Sequence, residues 1–294
     1  MSSAFHADLH CHSTFSDGTL APDALAQRAQ RNGVTLWALT DHDEIAGVPH
    51  AQAAAQAAGI DFLSGVEISA TFAQYTVHIV GLGFDPDNAA LQQGLASVRN
   101  SRGPRAKEMG RLLGEAGIPN AYEGALQYAD NPDLIARTHF ARYLVDAGYC
   151  KDTYDVFKHY LVEGKPGFVP QRWATLQEAV QWITGAQGVA VIAHPARYNM
   201  SAIEEYAFFS SFKSYGGQAV EAITGSHSAH EYAPYTDMAR EFGFALSRGS
   251  DFHSPQESKT DLGSLPADRA GTVGVWDLLQ SRIVRAGKPS AFAA

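Results

Sequence analysis

Cysteine is scarce in this chain, and long apolar runs are absent. With only Cys11 and Cys150 among 294 residues, no disulfide framework is expected. No stretch of about 18 consecutive apolar residues occurs, so no transmembrane helix is expected. The opening MSSAFHADLHCHS lacks the basic-then-apolar order of a secretory signal. A cytoplasmic location is the default expectation. Positive charge is also in deficit: 22 Lys and Arg against 31 Asp and Glu give a net charge of −9. Proteins that grip long nucleic acid carry a basic surface, so broad duplex binding is not expected. A small phosphorylated ligand is still compatible, because bound metal ions supply positive charge locally. There is no internal repeat and no low-complexity tract. The chain is 45% hydrophobic, enough for one large α/β domain or a core domain with an insertion.

The first eighty residues alternate. FHADLHCH reads as a strand and APDALAQRAQRNG as a helix, with Pro22 in its first turn and Gly33 at its end. VTLWALTDHD is a strand, GVPHAQAAAQAAG a helix closed by Gly59, and IDFLSGVEIS and YTVHIVGLGF are strands. Repeated strand–helix units imply a mainly parallel sheet or barrel. From about 86 to 172 strand-like runs are few and helical ones many, as in NAALQQGLASVRNSRGPRAKEMGRLLGEAG and RTHFARYLVDAGY. This predicts a helical insertion at 86–172 between core segments 1–85 and 173–294. The α/β rhythm returns with TLQEAVQWITGAQG (helix), VAVIAHP and QAVEAITG (strands), HEYAPYTDMAREFG (helix) and FALSRGSDFH (strand). TVGVWDLLQSRIVRAG holds a last strand or turn and a helix.

If Phe5–His12 is a strand, Asp8, His10 and His12 share one face, and Ala7, Leu9 and Cys11 the other. Cys11 then reads as a buried small hydrophobe. Parallel α/β folds bind ligands beyond the C-terminal ends of their strands. Strand ends here carry His10 and His12; Asp41, His42 and Asp43; Glu67; His194; and Asp251 and His253, while His78 lies in TVHIVG. Imidazole and carboxylate together suit Mn, Fe or Zn. About four protein ligands satisfy one tetrahedral ion, so this set implies two or three ions. Clustered ions stabilise the attacking and leaving oxygens of phosphoester hydrolysis. Asp41 and Asp43 are candidates for orienting ligating histidines from behind, or for turn and helix-cap roles.

DLHCHSTFSDG, TDHD, GVEIS, VHIVG, AHP and SDFH, taken in order, resemble the successive motifs of the polymerase and histidinol phosphatase (PHP) family. The match runs from Asp8 to His253. The resemblance implies an α/β fold, a distorted (β/α)7 barrel carrying the helical insertion, with a bi- or trinuclear metal centre that hydrolyses phosphoesters. Within the family, the chain looks most like the branch that removes the 3′-phosphate from 3′,5′-nucleoside bisphosphates. Other members of that branch degrade short 5′-phosphorylated RNA. Histidinol phosphatases typically carry histidine where this chain has Asp17. The family pattern implies that His10, His12, Glu67 and Asp251 hold one ion. Asp17, His42, Glu67 and His253 surround a second, and His78 and His194 hold a third. Mn2+ is expected, with Fe2+ or Zn2+ as alternatives. A hydroxide between ions would attack phosphorus, and His194 or His253 would assist the leaving 3′-oxygen.

A bisphosphate has a second phosphate that must be held away from the ions. Arginine suits it through its bidentate fork. Arg102, Arg137 and Lys165 are the candidates, with Ser101 as a hydroxyl donor and His139 and Arg197 as further pocket residues. Two rivals follow: a 5′→3′ exonuclease on short RNA or DNA oligonucleotides, and a non-catalytic metal-binding module of the kind found in replicative polymerases.

Overall fold

The computed structural model of the chain describes residues 5–171, 173–266 and 273–287. Seven strands follow one another around a barrel: β1 (Ala7–Asp8), β2 (Leu36–Leu39), β3 (Asp61–Phe72), β4 (Tyr75–Leu82), then β6 (Val189–Ile192), β7 (Ala219–Thr224) and β8 (Ala245–Gly249), with β5 (Ala174–Thr175) pairing to the side of β3. The two edges meet. The Leu9 N–H donates to the Arg248 carbonyl at 3.0 Å, and the Asp251 N–H to that of His10 at 2.8 Å. The result is a nearly closed (β/α)7-like barrel.

The expected strand over Phe5–His12 is much shorter, two residues, because the chain leaves the ladder at Leu9 and rejoins it only through a Cys11–Phe252 bridge. The sheet is also less parallel than expected: β4 runs antiparallel to both β3 and β6. A two-residue turn at Ala73–Gln74 folds it back on β3. That reversal brings His78, near the start of its strand, to the rim where the other strands end.

Alternation fills the barrel. Ala7, Leu9, Leu36, Ala38, Val80, Leu82, Val189, Val191 and Ala193 face inward with Trp276, as period-two geometry requires. Helices α1 (Pro22–Arg31) and α2 (Val48–Ala58) cover Trp37, Leu39 and Phe62, and Cys11 joins that layer. Helices α3 (Ala89–Asn100), α8 (Leu176–Gly185), α9 (Ala202–Ser214) and α10 (Tyr232–Phe242) cover the far side. Between them lie α4 (Arg102–Glu115), α5 (Ala121–Leu126), α6 (Arg137–Asp146) and α7 (Thr153–Val156). Their apolar residues, from Ala106 to Val169, form a separate cluster, whereas Leu91 and Leu95 of α3 pack with the barrel's outer layer.

Helix α9 had no expectation. Its apolar residues lack a clean stripe, with Ile203 exposed and Phe208 buried, but its capping box, Ser201 with Glu204, was readable as S-x-x-E. The closing segment forms α11 (Val275–Leu278) and a bridge to Phe62; Thr272, its first residue, lies outside the described residues. Among the described residues no helix is long and apolar enough to cross a membrane.

Gly249 ends β8 against His10. A Cβ there would stand 2.1 Å from the His10 Cβ and 2.5 Å from its backbone nitrogen. Gly249→Ala should therefore lower stability by roughly 1–3 kcal/mol and displace His10. A thermal melt at wild-type Tm would contradict this.

Candidate metal centre and substrate cavity

The rim converges on Glu67. This buried carboxylate has five imidazoles around it. Oε1 lies 2.9 Å from His78 Nδ1, 2.9 Å from His194 Nε2 and 3.3 Å from His10 Nε2. Oε2 lies 2.9 Å from His42 Nδ1 and 3.4 Å from His12 Nε2. Asp251 Oδ1 stands 3.6 Å from His10 and 3.4 Å from His12, while Oδ2 accepts from Arg197 at 3.0 Å. Asp17 Oδ1 faces His253 at 3.5 Å, His12 at 3.9 Å and His42 at 4.0 Å.

Hydrogen bonds do not account for this cluster. His12 Nδ1, Asp17 Oδ1, His42 Nδ1, Glu67 Oε2 and His194 Nδ1 are buried without a hydrogen-bond partner. His42 Nδ1 and Glu67 Oε2 are only 2.9 Å apart yet not aligned as donor and acceptor. Buried polar atoms are normally satisfied. Orphaned nitrogen and oxygen lone pairs sharing one space fit cations. Four overlapping sets have donor atoms within 4.8 Å of one another: His12–Asp17–His42–His253, His10–Glu67–His194, His10–His12–Asp251 and His42–Glu67–His78. His78 and His194 thus fall into separate sets joined by Glu67. All nine expected ligands belong to at least one set.

Electrostatics without ions is strained. Burial disfavours the His42 cation, but Glu67 and Asp17 outweigh it and lift its pKa to about 9. Burial takes His12 down to about 3, with His253 and His42 adding to the effect. His194 falls to about 3, through burial and then Arg197. Burial opposes the His10 cation too, but Glu221, Glu67 and Asp251 raise its pKa. Two imidazoles therefore hold protons beside others that cannot.

Of the two roles expected for the carboxylates behind the cluster, Asp41 takes that of organising a turn. Asp41 accepts from the Ser13 N–H and hydroxyl, both at 2.7 Å, and from the Ser16 hydroxyl at 2.6 Å. It shapes the loop that delivers Asp17 and touches no histidine. Asp43 accepts from the Ser69 N–H at 2.7 Å and from Arg102. The carboxylate that orients a histidine is Glu221: its Oε1 lies 2.8 Å from His10 Nδ1, and its Oε2 accepts the His194 N–H at 2.8 Å. It was passed over because QAVEAITG reads as an ordinary strand. A buried acidic residue inside an apolar strand was the available signal.

A cavity of about 130 Å3 opens over Asp17, His42, Glu67, His78, Asp251 and His253. Its other wall holds Arg102, Arg105, Arg137, Arg197, Thr138 and Trp173. Of the expected substrate residues, Arg102, Arg137 and Arg197 line it. Ser101 does not: its hydroxyl donates to the Val98 carbonyl and accepts from Gln171. His139 is buried and its Nδ1 accepts the Ala136 N–H, closing the start of α6. Lys165 is exposed on its loop, outside the cavity's lining. Arg105, one turn along α4 from Arg102, lines the cavity as well and was not among the expected residues. Burial, and then Arg137 and Arg102, lower its pKa to about 9. Thr138 donates to Asp17 Oδ2 at 2.8 Å, joining α6 to the cluster. A second cavity of about 490 Å3 adjoins the first across Thr138, Phe157, Arg197, Asp251 and His253.

The PHP domain profile matches residues 8–165, just over half the chain. A 3′,5′-nucleoside bisphosphate phosphatase of Chromobacterium violaceum is 46% identical over 95% of this chain and 98% of its own. The chain belongs to the PHP family. A 5′-3′ exoribonuclease of Haemophilus influenzae is 43% identical over 84% of this chain and 90% of its own. A solved Chromobacterium violaceum structure, described as an amidohydrolase with bound sulfate and no metal, matches with a TM-score of 0.93. It is 46% identical, covering 95% of this chain and 98% of that one. This PHP chain is a metal-dependent phosphoesterase with several histidine–carboxylate clusters able to bind metal.

Two outcomes follow. Glu221→Gln should weaken metal binding about 10–100-fold, as loss of an orienting partner does; unchanged affinity in a metal titration would remove Glu221 from that role. His42 must shed its proton to ligate. Below its pKa of about 9, metal uptake should release protons, and affinity should rise with pH. Calorimetry in buffers of different ionisation enthalpy reads this directly; buffer-independent heats would contradict it.

Proposed function

We propose that this chain removes the 3′-phosphate from nucleoside 3′,5′-bisphosphates. The observation that carries the reading is the meeting of two charge sets in one cavity: the histidine–carboxylate cluster, and the guanidinium groups of Arg102, Arg105 and Arg137. Burial, Arg197 and Arg102 also lower the Arg137 pKa. Arginines crowded enough to depress one another call for an anion between them. The second phosphate, held away from the cations, meets that need. Residues 86–172, which carry these arginines, would act as a substrate cap.

His10, His12, Glu67 and Asp251 would hold one ion and Asp17, His42, Glu67 and His253 another, with His78 and His194 completing a third position. Manganese suits a set this rich in both carboxylate and imidazole. When bound, such ions supply Lewis acidity, which offsets phosphate charge and acidifies water. The chain's own side chains do the rest. Arg102, Arg105 and Arg137 grip the 5′-phosphate, and Trp173, already under the Arg102 and Arg105 guanidiniums, holds them in place. Arg197, on the wall shared by both cavities, turns from Asp251 to the 3′-phosphate oxygens. Of the two histidines considered for the leaving 3′-oxygen, His253 lines both cavities while His194 is buried on Glu67. His253 would serve that oxygen only where it does not ligate an ion, since its Nδ1 is bonded to the Asp251 carbonyl and its Nε2 faces Asp17. Two unpaired cysteines support a cytoplasmic setting.

The adjoining cavity favours a second reading, 5′→3′ cleavage of short 5′-phosphorylated oligonucleotides. Its roughly 490 Å3 leaves room for a nucleotide beyond the scissile bond.

The test compares adenosine 3′,5′-bisphosphate, 3′-AMP and a 5′-phosphorylated dinucleotide. Each charged hydrogen bond contributes roughly 1.5–3 kcal/mol, so two should give a preference on the order of a hundredfold or more for the bisphosphate over 3′-AMP in kcat/KM, with 5′-AMP as product. Arg105→Ala should erase most of that preference without lowering turnover of 3′-AMP. Equal rates on the bisphosphate and 3′-AMP, or 3′-AMP as product, would sink the proposal. Faster cleavage of the dinucleotide would select the second reading.

A further inference from the structure

The inserted helices carry another group of donor atoms, outside both cavities. Cys150 lies in the loop between α6 and α7, Asp155 lies in α7, and His159 lies in the π-helical turn Phe157–Leu161 that follows. One ligand atom from each lies within 4.8 Å of the others. Atoms bound to a tetrahedral zinc stand about 3.5 Å apart, so modest side-chain rotation would bring the three together. His159 Nδ1 is already 3.1 Å from Asp155 Oδ1. The backbone is set for this. Asp152 caps α7 by accepting the Asp155 N–H at 2.8 Å, and the π-helical turn carries His159 back over Asp155. Single π-helical turns are uncommon and often occur at functional sites.

We propose that Cys150, Asp155 and His159 form a second, separate site for a soft divalent transition ion of the zinc class. Thiolate, imidazole and carboxylate are zinc's ligand types, and three protein ligands leave a fourth position for water. Binding replaces the thiol proton, which passes to solvent. The ion would clip the loop after α6 to the π-helical turn. That turn backs the substrate cavity: the Phe157 ring lies under the Arg137 guanidinium at 5.6 Å.

The two cysteines make the test selective. Cys11 is fully buried beside Trp37 and the Ala38 carbonyl, away from the Glu67 cluster. A thiolate-to-metal charge-transfer band therefore reports Cys150. Metal-free protein is titrated with Co2+, with Zn2+ as competitor, and the near-ultraviolet band is followed. The wild type should develop the band to the intensity of one cobalt thiolate per chain, over and above the cobalt taken up by the Glu67 cluster, and lose it on addition of zinc. Cys150→Ser should abolish it, and Cys11→Ala should leave it. Asp155→Asn and His159→Ala should each weaken binding at least about tenfold, since losing even an orienting partner costs that much. Hydrogen exchange over residues 150–161 should slow when zinc is added to the wild type but not to Cys150→Ser. The proposal fails if the wild type gives no band. It also fails if the band survives both Asp155→Asn and His159→Ala unchanged, which would leave a lone thiol. Neither outcome bears on phosphate release at the Glu67 cluster.

Discussion

Everything at the rim depends on one buried carboxylate. Glu67 is wholly withdrawn from water, and a buried charge costs several kcal/mol unless paired. Its neighbours are imidazoles, most of which stay neutral when buried, and two of them are pushed to about 3. Protons alone serve the cluster badly: His10 and His42 hold theirs, while burial denies them to His12, His78 and His194. Divalent cations resolve this, because each replaces several missing hydrogen bonds at once. The cluster therefore reads as a site built at a cost to the metal-free fold.

That constraint reaches outward. His10 is held by Glu221, and Glu221 also fixes the backbone at His194, so β7 links two ligand segments. Gly249 leaves room for His10. Asp17 is reached from two sides, by the Asp41-shaped loop and by Thr138 of α6. Arg142 of the same helix clasps Glu257, with contacts of 2.9 and 2.7 Å, close in sequence to His253. Helix α6 thus touches the shell that positions the candidate ligands, so the arginine-lined wall and the histidine–carboxylate cluster are set by one framework.

Much of this was legible in the sequence. The six ordered motifs led to every residue of the Glu67 cluster, because strand ends in an α/β barrel converge and ligand types are distinctive. The antiparallel return of β4 was not, since a strand pattern does not state its direction and Ala73–Gln74 is a weak turn signal. The arginine wall was half legible. Arg102 and Arg137 were expected, but Arg105 lay in a run whose helical phase toward the cavity could not be fixed without knowing how α4 docks. Ser101 and His139 lie outside the cavity's lining, each bonded to nearby backbone, a competition that sequence does not reveal. Glu221 was missed because strand composition conceals a single inward polar residue.

The central claim is that Glu67 lies between cations. The most direct measurement is a crystal structure of protein supplied with Mn2+, with anomalous differences recorded near the manganese edge. The account predicts two or three peaks among His10, His12, Asp17, His42, His78, His194, Asp251 and His253, with at least one within bonding distance of each Glu67 oxygen. A fully loaded crystal with no peak beside Glu67, its carboxylate instead held by hydrogen bonds from protonated histidines, would contradict it.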